Sequence, residues 1–195
     1  MDIYRKLYEI GAIKFGDFKL KSNISSPIYI DLRICISYPE ILKEIAKMIQ
    51  KKVLSITYDY VLGVPYSGIF FACSFAYLTD SKQLLIRKEK KEYGSKKLLE
   101  GIFKKGEKCL VIEDVTTTGS SLLNTIESLR NEGIQVKNAI VIFNREKNIK
   151  SFFLNVDCHL HSLLDIFEML DYLKTNNLID ESIYQDSLKF INGAN

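Results

Sequence analysis

The chain has 195 residues, of which 47% are hydrophobic, and a formal net charge of +3 at pH 7. This length and composition predict a folded domain with a sizeable core and exclude a disordered chain. No apolar run approaches the length of a membrane span, and the N-terminus lacks the apolar core of a signal peptide. Cys35, Cys73 and Cys109 lie in apolar runs far apart. We therefore expect buried, reduced thiols in a cytoplasmic protein with no membrane partner.

The first third of the chain predicts two helices that flank a pair of short strands. Residues 2–10 place apolar side chains at helical spacing and stop at Gly11. Residues 14–33 contain two strand-like runs around a turn of Ser, Asn and Pro. A longer amphipathic helix runs from Pro39 to about Val53.

From residue 60 onward, strand-like and helix-like segments alternate. The predicted strands are residues 60–64, 84–86, 109–112 and 139–143, and the predicted helices are residues 69–78 and a segment from Leu122 to Gly133. This alternation predicts a mostly parallel sheet with helices on both faces. Near the C-terminus we expect a strand at residues 157–161, a helix capped by Ser162 and a helix capped by Asp180.

Residues 109–121, CLVIEDVTTTGSS, form the segment most suggestive of a ligand site. An apolar run is followed by two acids, then by hydroxyl residues and a glycine before a helical pattern. Such a loop at a helix N-terminus can hold a phosphate. The acids Glu113 and Asp114 would repel a lone anion, but they can accept hydrogen bonds from a sugar diol. A phosphorylated ribose offers both groups, and the alternative is an ordinary turn with solvated acids.

A second candidate is the basic segment 87–97, RKEKKEYGSKK. It contains six basic and two acidic residues, so its local charge is +4 and the rest of the chain carries −1. This concentration suits a small polyanion better than a nucleic acid duplex, although a solvated loop is the alternative. The basic segment, Tyr66-Ser67, residues 113–121 and Arg145 all follow predicted strands. We expect them to meet at the carboxyl edge of the sheet.

His159 and His161 were considered as a metal site. Alternate strand positions share a face, so both rings could bind one ion. A protein zinc site needs three or four ligands, and no others stand at a telling spacing. We therefore expect no metal ligands from the protein.

Four stretches together resemble a known family. The segment IEDVTTTGSS is similar to the phosphoribosyl diphosphate (PRPP) signature of type I phosphoribosyltransferases. FGDFKLKSNISSPIYIDLR, GVPYSG and LLIRKEKKEYGSKKLLEG resemble orotate phosphoribosyltransferases, most of all the corresponding domain of eukaryotic bifunctional UMP synthases. The resemblance implies an α/β fold with a Rossmann-like parallel sheet flanked by helices. It implies a single domain, residues 1–195, with a small hood mainly within residues 1–36, a core at about 37–161 and C-terminal helices at 162–191.

The same resemblance implies an activity and partners. The enzyme would transfer the 5-phosphoribosyl group from PRPP to orotate, giving orotidine 5′-monophosphate and diphosphate in de novo UMP synthesis. Mg²⁺ would be the cofactor, held mainly through PRPP. A homodimer that shares an active-site loop is implied, with no nucleic acid partner. Because the chain stops where the bifunctional protein would continue, we expect decarboxylation to need a separate orotidine monophosphate decarboxylase.

Site roles follow by position from the resemblance. The implied catalytic residues are Lys91, on a loop that closes over the neighbouring subunit's site, and the ribose-binding acids Glu113 and Asp114. The implied PRPP-binding residues are Lys21, Arg87, Lys88, Lys91, Tyr93, Glu113, Asp114, Val115, Thr116, Thr117, Thr118, Gly119, Ser120 and Ser121. The implied orotate-binding residues are Tyr29, Ile30, Tyr66, Thr117 and Arg145.

Three positions depart from many bacterial orotate enzymes. Ser67 replaces a lysine, Tyr93 replaces a histidine and Asn23 replaces a glycine. Two alternative functions remain. The first is a phosphoribosyltransferase for another base such as a purine, against which residues 15–33 argue. The second is a PRPP-sensing regulator that binds nucleic acid, against which the near-neutral remainder of the chain argues.

Overall fold

The computed structural model describes residues 2–19, 25–87 and 98–193. They belong to two compact units, one formed by the chain up to residue 41 together with the chain from 164 onward, the other by residues 42–163. The N-terminal and C-terminal segments, which the sequence assigned to a hood and to separate helices, thus fall in one unit. Among the described residues, no helix is both long and apolar enough to span a membrane.

The first unit surrounds a two-stranded hairpin. Its strands are antiparallel, with Ile13 opposite Ile30 and Phe15 opposite Ile28. The elements of this unit are α1 (Ile3–Glu9), β1 (Ile13–Lys19), β2 (Ser25–Ile30), a 3-10 helix (Leu32–Ser37) and, near the C-terminus, two helices described below. The predicted helix and strand pair of this region are confirmed, and the turn between the strands lies outside the described residues.

The second unit is built on a six-stranded sheet. Its strands are β3 (Tyr60–Gly63), β4 (Lys82–Ile86), β5 (Leu99–Glu100), β6 (Lys108–Thr116), β7 (Gln135–Asn144) and β8 (His159–Asp165). The spatial order is β5-β4-β3-β6-β7-β8. Strands β4, β3, β6 and β7 are parallel neighbours, and β5 runs antiparallel to β4. The carboxyl ends of the four parallel strands therefore share one edge, as the sequence predicted.

Helices connect these strands and close the chain. They are α2 (Pro39–Lys52), α3 (Ser67–Thr79), α4 (Ser120–Asn131), α5 (Ile149–Asn155), α6 (Ile166–Thr175) and α7 (Glu181–Gly193). Helix α5 was not predicted. The predicted cap of α7 is confirmed, because the Ile183 amide donates to Asp180 at 2.8 Å. The predicted cap at Ser162 is wrong, because β8 continues to Asp165, whose carboxylate accepts from the Phe167 amide at 2.9 Å.

Strand β6 is longer than its apolar run. It continues through both acids to Thr116, because the ten-residue β7 offers pairing partners up to Asn144. Glu113 and Asp114 therefore belong to the sheet and not to the loop, which corrects the expected boundary. The observed loop is shorter than predicted and comprises residues 117–119, because α4 begins at Ser120 instead of Leu122.

The cysteines are all free thiols. Cys35, Cys109 and Cys158 are buried, whereas Cys73 is exposed. The prediction of a buried Cys73 is wrong, because α3 presents this side of its apolar sequence outward. In Cys109, burial raises the pKa of the thiol far above its usual range, so this group stays protonated.

Candidate active site

The turn after β3, within GVPYSG, packs backbone against backbone. A Cβ added at Gly63 would lie 2.3 Å from the Gly68 carbonyl oxygen, and one at Gly68 would lie 2.4 Å from the Ile112 carbonyl oxygen. The Val64 amide donates to that same Ile112 oxygen at 2.8 Å. Gly63 thus allows the start of α3 to lie directly on the end of β3, and Gly68 allows it to lie on β6 at the residue before Glu113.

The acid pair at the end of β6 has two different environments. Glu113 is buried, with 6% of its surface exposed, whereas Asp114 is half-buried. Burial, reinforced by the neighbouring Asp114, raises the pKa of the Glu113 carboxyl to about 9. The Asp114 amide donates to Glu113 Oε1 at 3.2 Å. At neutral pH Glu113 therefore keeps its proton, and the pair repels an anion less than two carboxylates would.

The loop after β6 ends in an uncapped helix start. Thr117 and Thr118 are exposed, and Gly119 precedes α4 with a φ of 74°, a left-handed conformation that favours glycine. Gly119 at the N-cap position has no side chain to cap this end of the helix, and the Ser120 amide donates to Thr118 Oγ1 only at 3.5 Å. The Thr118 and Ser120 hydroxyls lie 3.1 Å apart. Backbone N–H groups of the first turn, the helix dipole and these hydroxyls together form a suitable anion-binding site.

Two buried polar atoms lie where β6 and β7 end. Within the described part of the chain, Thr116 Oγ1 and Arg145 Nε have no hydrogen-bond partner. The Arg145 amide donates to the Thr116 carbonyl at 3.1 Å, so the two residues are neighbours. Burial lowers the pKa of the Arg145 guanidinium below its usual value. An unsatisfied buried polar group costs about 1–3 kcal/mol, so this pair is suited to a polar ligand that supplies the missing bonds.

Arg87 follows β4 and is paired within the protein. Its Nη2 lies 2.7 Å from Glu100 Oε1, and its Nε donates to the same oxygen at 2.8 Å. Arg87 also lines a cavity of about 230 Å³ together with Pro65 and Ser121. The turn after β3, the end of β4 and the start of α4 thus meet at one cavity. Of the residues expected to meet at this edge, Arg87 and Ser121 line the cavity, whereas Tyr66, Ser67 and Arg145 do not.

The other predicted residues are distributed as follows. Tyr66 is 69% exposed beside the turn after β3. Tyr29 and Ile30 lie on β2 in the first unit, where the Tyr29 ring stacks on Phe18 at 5.3 Å between centroids. The Tyr29 hydroxyl accepts from Arg33 Nη2 at 3.0 Å. Four predicted PRPP-binding residues lie outside the described part of the chain: Lys21, Lys88, Lys91 and Tyr93.

The histidine pair has other contacts. His161 Nε2 lies 2.9 Å from Asn138 Oδ1, and burial, together with nearby Lys52, lowers the pKa of the His161 ring. Across the described ranges, no three side chains of His, Cys, Asp or Glu are grouped so that they could hold a metal ion.

Two features at the carboxyl edge of the sheet were not predicted from the sequence: the ion-pair partner of Arg87 and the two close-packed glycines. Glu100, the partner of Arg87, lies beyond the basic segment, and no pattern in the sequence predicts this ion pair. Gly63 and Gly68 could have been recognised from the glycines that open and close GVPYSG, since close backbone approach is a common use of glycine.

A hydroxyl-rich loop at a helix N-terminus and an acid pair at the carboxyl edge of a parallel sheet suit an enzyme that binds a phosphorylated sugar. Residues 37–166 match the family described as Phosphoribosyl transferase domain. The orotate phosphoribosyltransferase of Pyrobaculum islandicum is 34% identical over 190 residues, which cover 95% of this chain and 96% of that protein. The chain therefore belongs to the orotate phosphoribosyltransferases within the phosphoribosyltransferase family, which confirms the resemblance and the fold class.

Two relatives named as UMP synthases are longer than this chain. The uridine 5′-monophosphate synthase of Bos taurus is 39% identical over 187 residues, covering 95% of this chain and 39% of that protein. The structure of Leishmania donovani UMP synthase matches with a TM-score of 0.90 at 28% identity, covering 98% of this chain and 42% of that chain. The chain thus spans about two fifths of these relatives' length.

Proposed function

We propose that this protein transfers the 5-phosphoribosyl group of PRPP to orotate in de novo UMP synthesis, releasing diphosphate. The observation that carries the proposal is the sequence of groups along the end of β6: a buried protonated acid, a half-buried acid and an uncapped helix N-terminus. This order fits a ribose diol next to a phosphate. The similarity to proteins named orotate phosphoribosyltransferase supports orotate as the acceptor.

The acid pair binds the ribose in this proposal. The carboxylate of Asp114 accepts from one hydroxyl, and the protonated Glu113 both donates and accepts. Departure of diphosphate leaves positive charge on the ribose ring, and a single nearby negative charge stabilises it without repelling the incoming phosphates. Orotate is already an anion, so no covalent nucleophile is needed.

The loop and the strand ends hold the two anionic parts of the substrates. Thr116 to Ser121 bind the 5-phosphate through backbone N–H groups and hydroxyls. Arg145, whose Nε lacks a partner within the described residues, binds the orotate side. Tyr29, Ile30 and Tyr66 border the base, and Lys21, Arg87, Lys88 and Tyr93 contact PRPP. These roles rest on the positions that match the family.

Mg²⁺ dependence is part of the proposal. The described residues offer no preformed set of three ligands, but Asp114 presents one half-exposed carboxylate near the place proposed for the ribose. This donor set fits an ion that arrives with most of its oxygen ligands already supplied by the diphosphate. Bound there, Mg²⁺ would spread the charge that develops on the leaving group.

The direct test follows the ultraviolet absorbance of orotate. With the folded protein, PRPP and Mg²⁺, we expect the absorbance to fall, and to stay constant when PRPP is omitted or EDTA is added. Uracil and adenine serve as competing bases in matched assays. No PRPP-dependent loss of orotate, or faster use of adenine, would contradict the proposal.

Lys91→Ala is expected to lower turnover by about 10²-fold, the effect of losing one group that stabilises developing charge. The free energy of unfolding should stay close to that of the wild type, since the change removes one of six positive charges in the basic segment. Turnover and urea unfolding measure the two effects. Near-normal turnover would show that Lys91 does not have the proposed role.

We also propose that the protein is a cytoplasmic homodimer. Helix α3, SGIFFACSFAYLT, contains no charged residue, yet Cys73 and Tyr77 on it are exposed. A second copy can face this surface across a twofold axis without like-charge repulsion. If Lys91 serves the partner's site, mixing Lys91→Ala and Asp114→Asn proteins should recover about a quarter of wild-type activity through mixed dimers. No recovery after exchange of subunits would contradict the shared site.

A further inference from the structure

We propose that Phe153 is a positioning residue for the phosphate loop: its ring fixes Gly119 and so sets the affinity for the phosphorylated end of PRPP without touching the substrate. The inference rests on the proposed function, because it assigns the 5-phosphate to the start of α4. Phe153 lies on helix α5, none of whose residues has a role in the proposed reaction.

The ring of Phe153 occupies the space that a side chain at position 119 would need. A Cβ added at Gly119 would lie 2.7 Å from Phe153 Cε2, 3.0 Å from its Cζ and 3.1 Å from Ile149 Cδ1. Phe153 is fully buried, with 0% of its surface exposed. One face of the loop therefore rests on two apolar side chains of α5, and the other face remains for the ligand.

Hydrogen bonds connect α4 to the segment that follows α5, so the Phe153 ring cannot easily move away from Gly119. Arg130, in the last turn of α4, donates from Nη1 to the Val156 carbonyl at 2.8 Å and from Nη2 to the Asp157 carbonyl at 3.0 Å. The same Nη2 donates to the Val136 carbonyl at 2.7 Å, at the start of β7. The start of α4 thus packs on the middle of α5, and the end of α4 holds the chain that leaves α5.

The packing of Phe153 on Gly119 and the hydrogen bonds of Arg130 together restrict the backbone of the phosphate loop. A residue with a φ of 74° next to an uncapped helix start is free to rearrange unless its surroundings restrict it. Binding a phosphate there requires several N–H groups to point at one place. When packing orders the loop beforehand, the ligand does not have to supply that ordering free energy.

The same helix offers a control for the test. Phe153→Leu replaces the ring against Gly119, whereas Leu154→Ala changes the next side chain, which is 54% exposed. For Phe153→Leu we expect the KM for PRPP and the Kd of ribose 5-phosphate to rise about fivefold to tenfold. The kcat and the KM for orotate should stay within about twofold, as should every constant of Leu154→Ala.

Calorimetric titration with ribose 5-phosphate gives a readout that does not depend on turnover. Phe153→Met, which refills the space with a flexible side chain, should recover part of the lost affinity. If Phe153→Leu does not fold, Ile149→Val is a milder change: it removes Cδ1, the atom 3.1 Å from the position of a Cβ added at Gly119, and should raise the same Kd about twofold or threefold.

The outcomes separate this inference from the proposed function. If wild-type protein binds ribose 5-phosphate and folded Phe153→Leu binds it equally well, the positioning role is wrong and the function stands. An equal rise in KM for PRPP and orotate would also overturn the positioning role, since it would indicate general loosening. If wild-type protein neither binds ribose 5-phosphate nor uses PRPP, the proposed function itself fails.

Discussion

Glu113→Gln is expected to stabilise the fold by about 2 kcal/mol at pH 8 and to lower kcat/KM for PRPP by about 10²-fold. Burial raises the pKa of this carboxyl to about 9 from an ordinary value of 4.5. Above pH 4.5 the unfolded chain loses this proton while the folded chain keeps it, so stability falls as the pH rises towards 9. Glutamine does not titrate and avoids this loss, but it alters the hydrogen bonds offered to the ribose.

Urea unfolding at pH 5.5 and pH 8 measures the first effect, and steady-state kinetics with varied PRPP measures the second. The gain in stability should be larger at pH 8 than at pH 5.5. Asp114→Asn is the matched variant for the kinetics: it should weaken PRPP use far more than orotate binding. A stability difference for Glu113→Gln that does not change with pH would contradict the buried, protonated state.

Gly63→Ala should lower the free energy of unfolding by about 3 kcal/mol or more, the severe end of overpacking. The added methyl would lie 2.3 Å from a backbone oxygen and 2.5 Å from Ile69 Cα, and neither is a flexible side chain that could move aside. The start of α3 would have to shift away from the end of β3, and the cavity edge at Pro65 would move with it. Activity should therefore fall even under conditions where the variant is folded.

Thermal and urea unfolding test this change. Gly193→Ala is the control, because nothing lies within 4 Å of a Cβ at that position near the end of α7. Its stability should stay within about 0.5 kcal/mol of the wild type. If Gly63→Ala were as stable as Gly193→Ala, the close packing of the start of α3 on Gly63 would be wrong.

The sequence predicted the sheet well because local patterns specify it. Wholly apolar runs such as residues 60–64 can lie in the middle of a parallel sheet, and the carboxyl ends of such strands must share an edge. The pattern failed where a distant partner decides the outcome. The extension of β6 through Glu113 depends on the length of β7, and the cap of α6 at Asp165 depends on how far β8 runs.

In the candidate site, too, features set by local sequence were predicted and features set by distant partners were not. The acids, the hydroxyls and Gly119 were recognised because they are contiguous, with residue types that suit a phosphorylated sugar. The pairing of Arg87 with Glu100 was not predicted, because it arises from the antiparallel β5 strand that follows the basic segment. Phe153 was not predicted either, since an apolar residue in a short helix carries no sign of what it packs against.

The candidate site from Glu113 to Gly119 contains two kinds of backbone, a strand and a loop. Glu113 and Thr116 belong to a strand hydrogen-bonded to β7, whereas residues 117–119 belong to no strand or helix. Amide hydrogens beside the proposed ribose site should exchange with solvent as slowly as those of the core, and amide hydrogens of the loop should exchange quickly until phosphate binds. In the proposed function, the ribose is therefore bound next to amides already hydrogen-bonded within the sheet, whereas the phosphate is bound by loop amides that packing on α5 orders but that only the ligand protects from exchange.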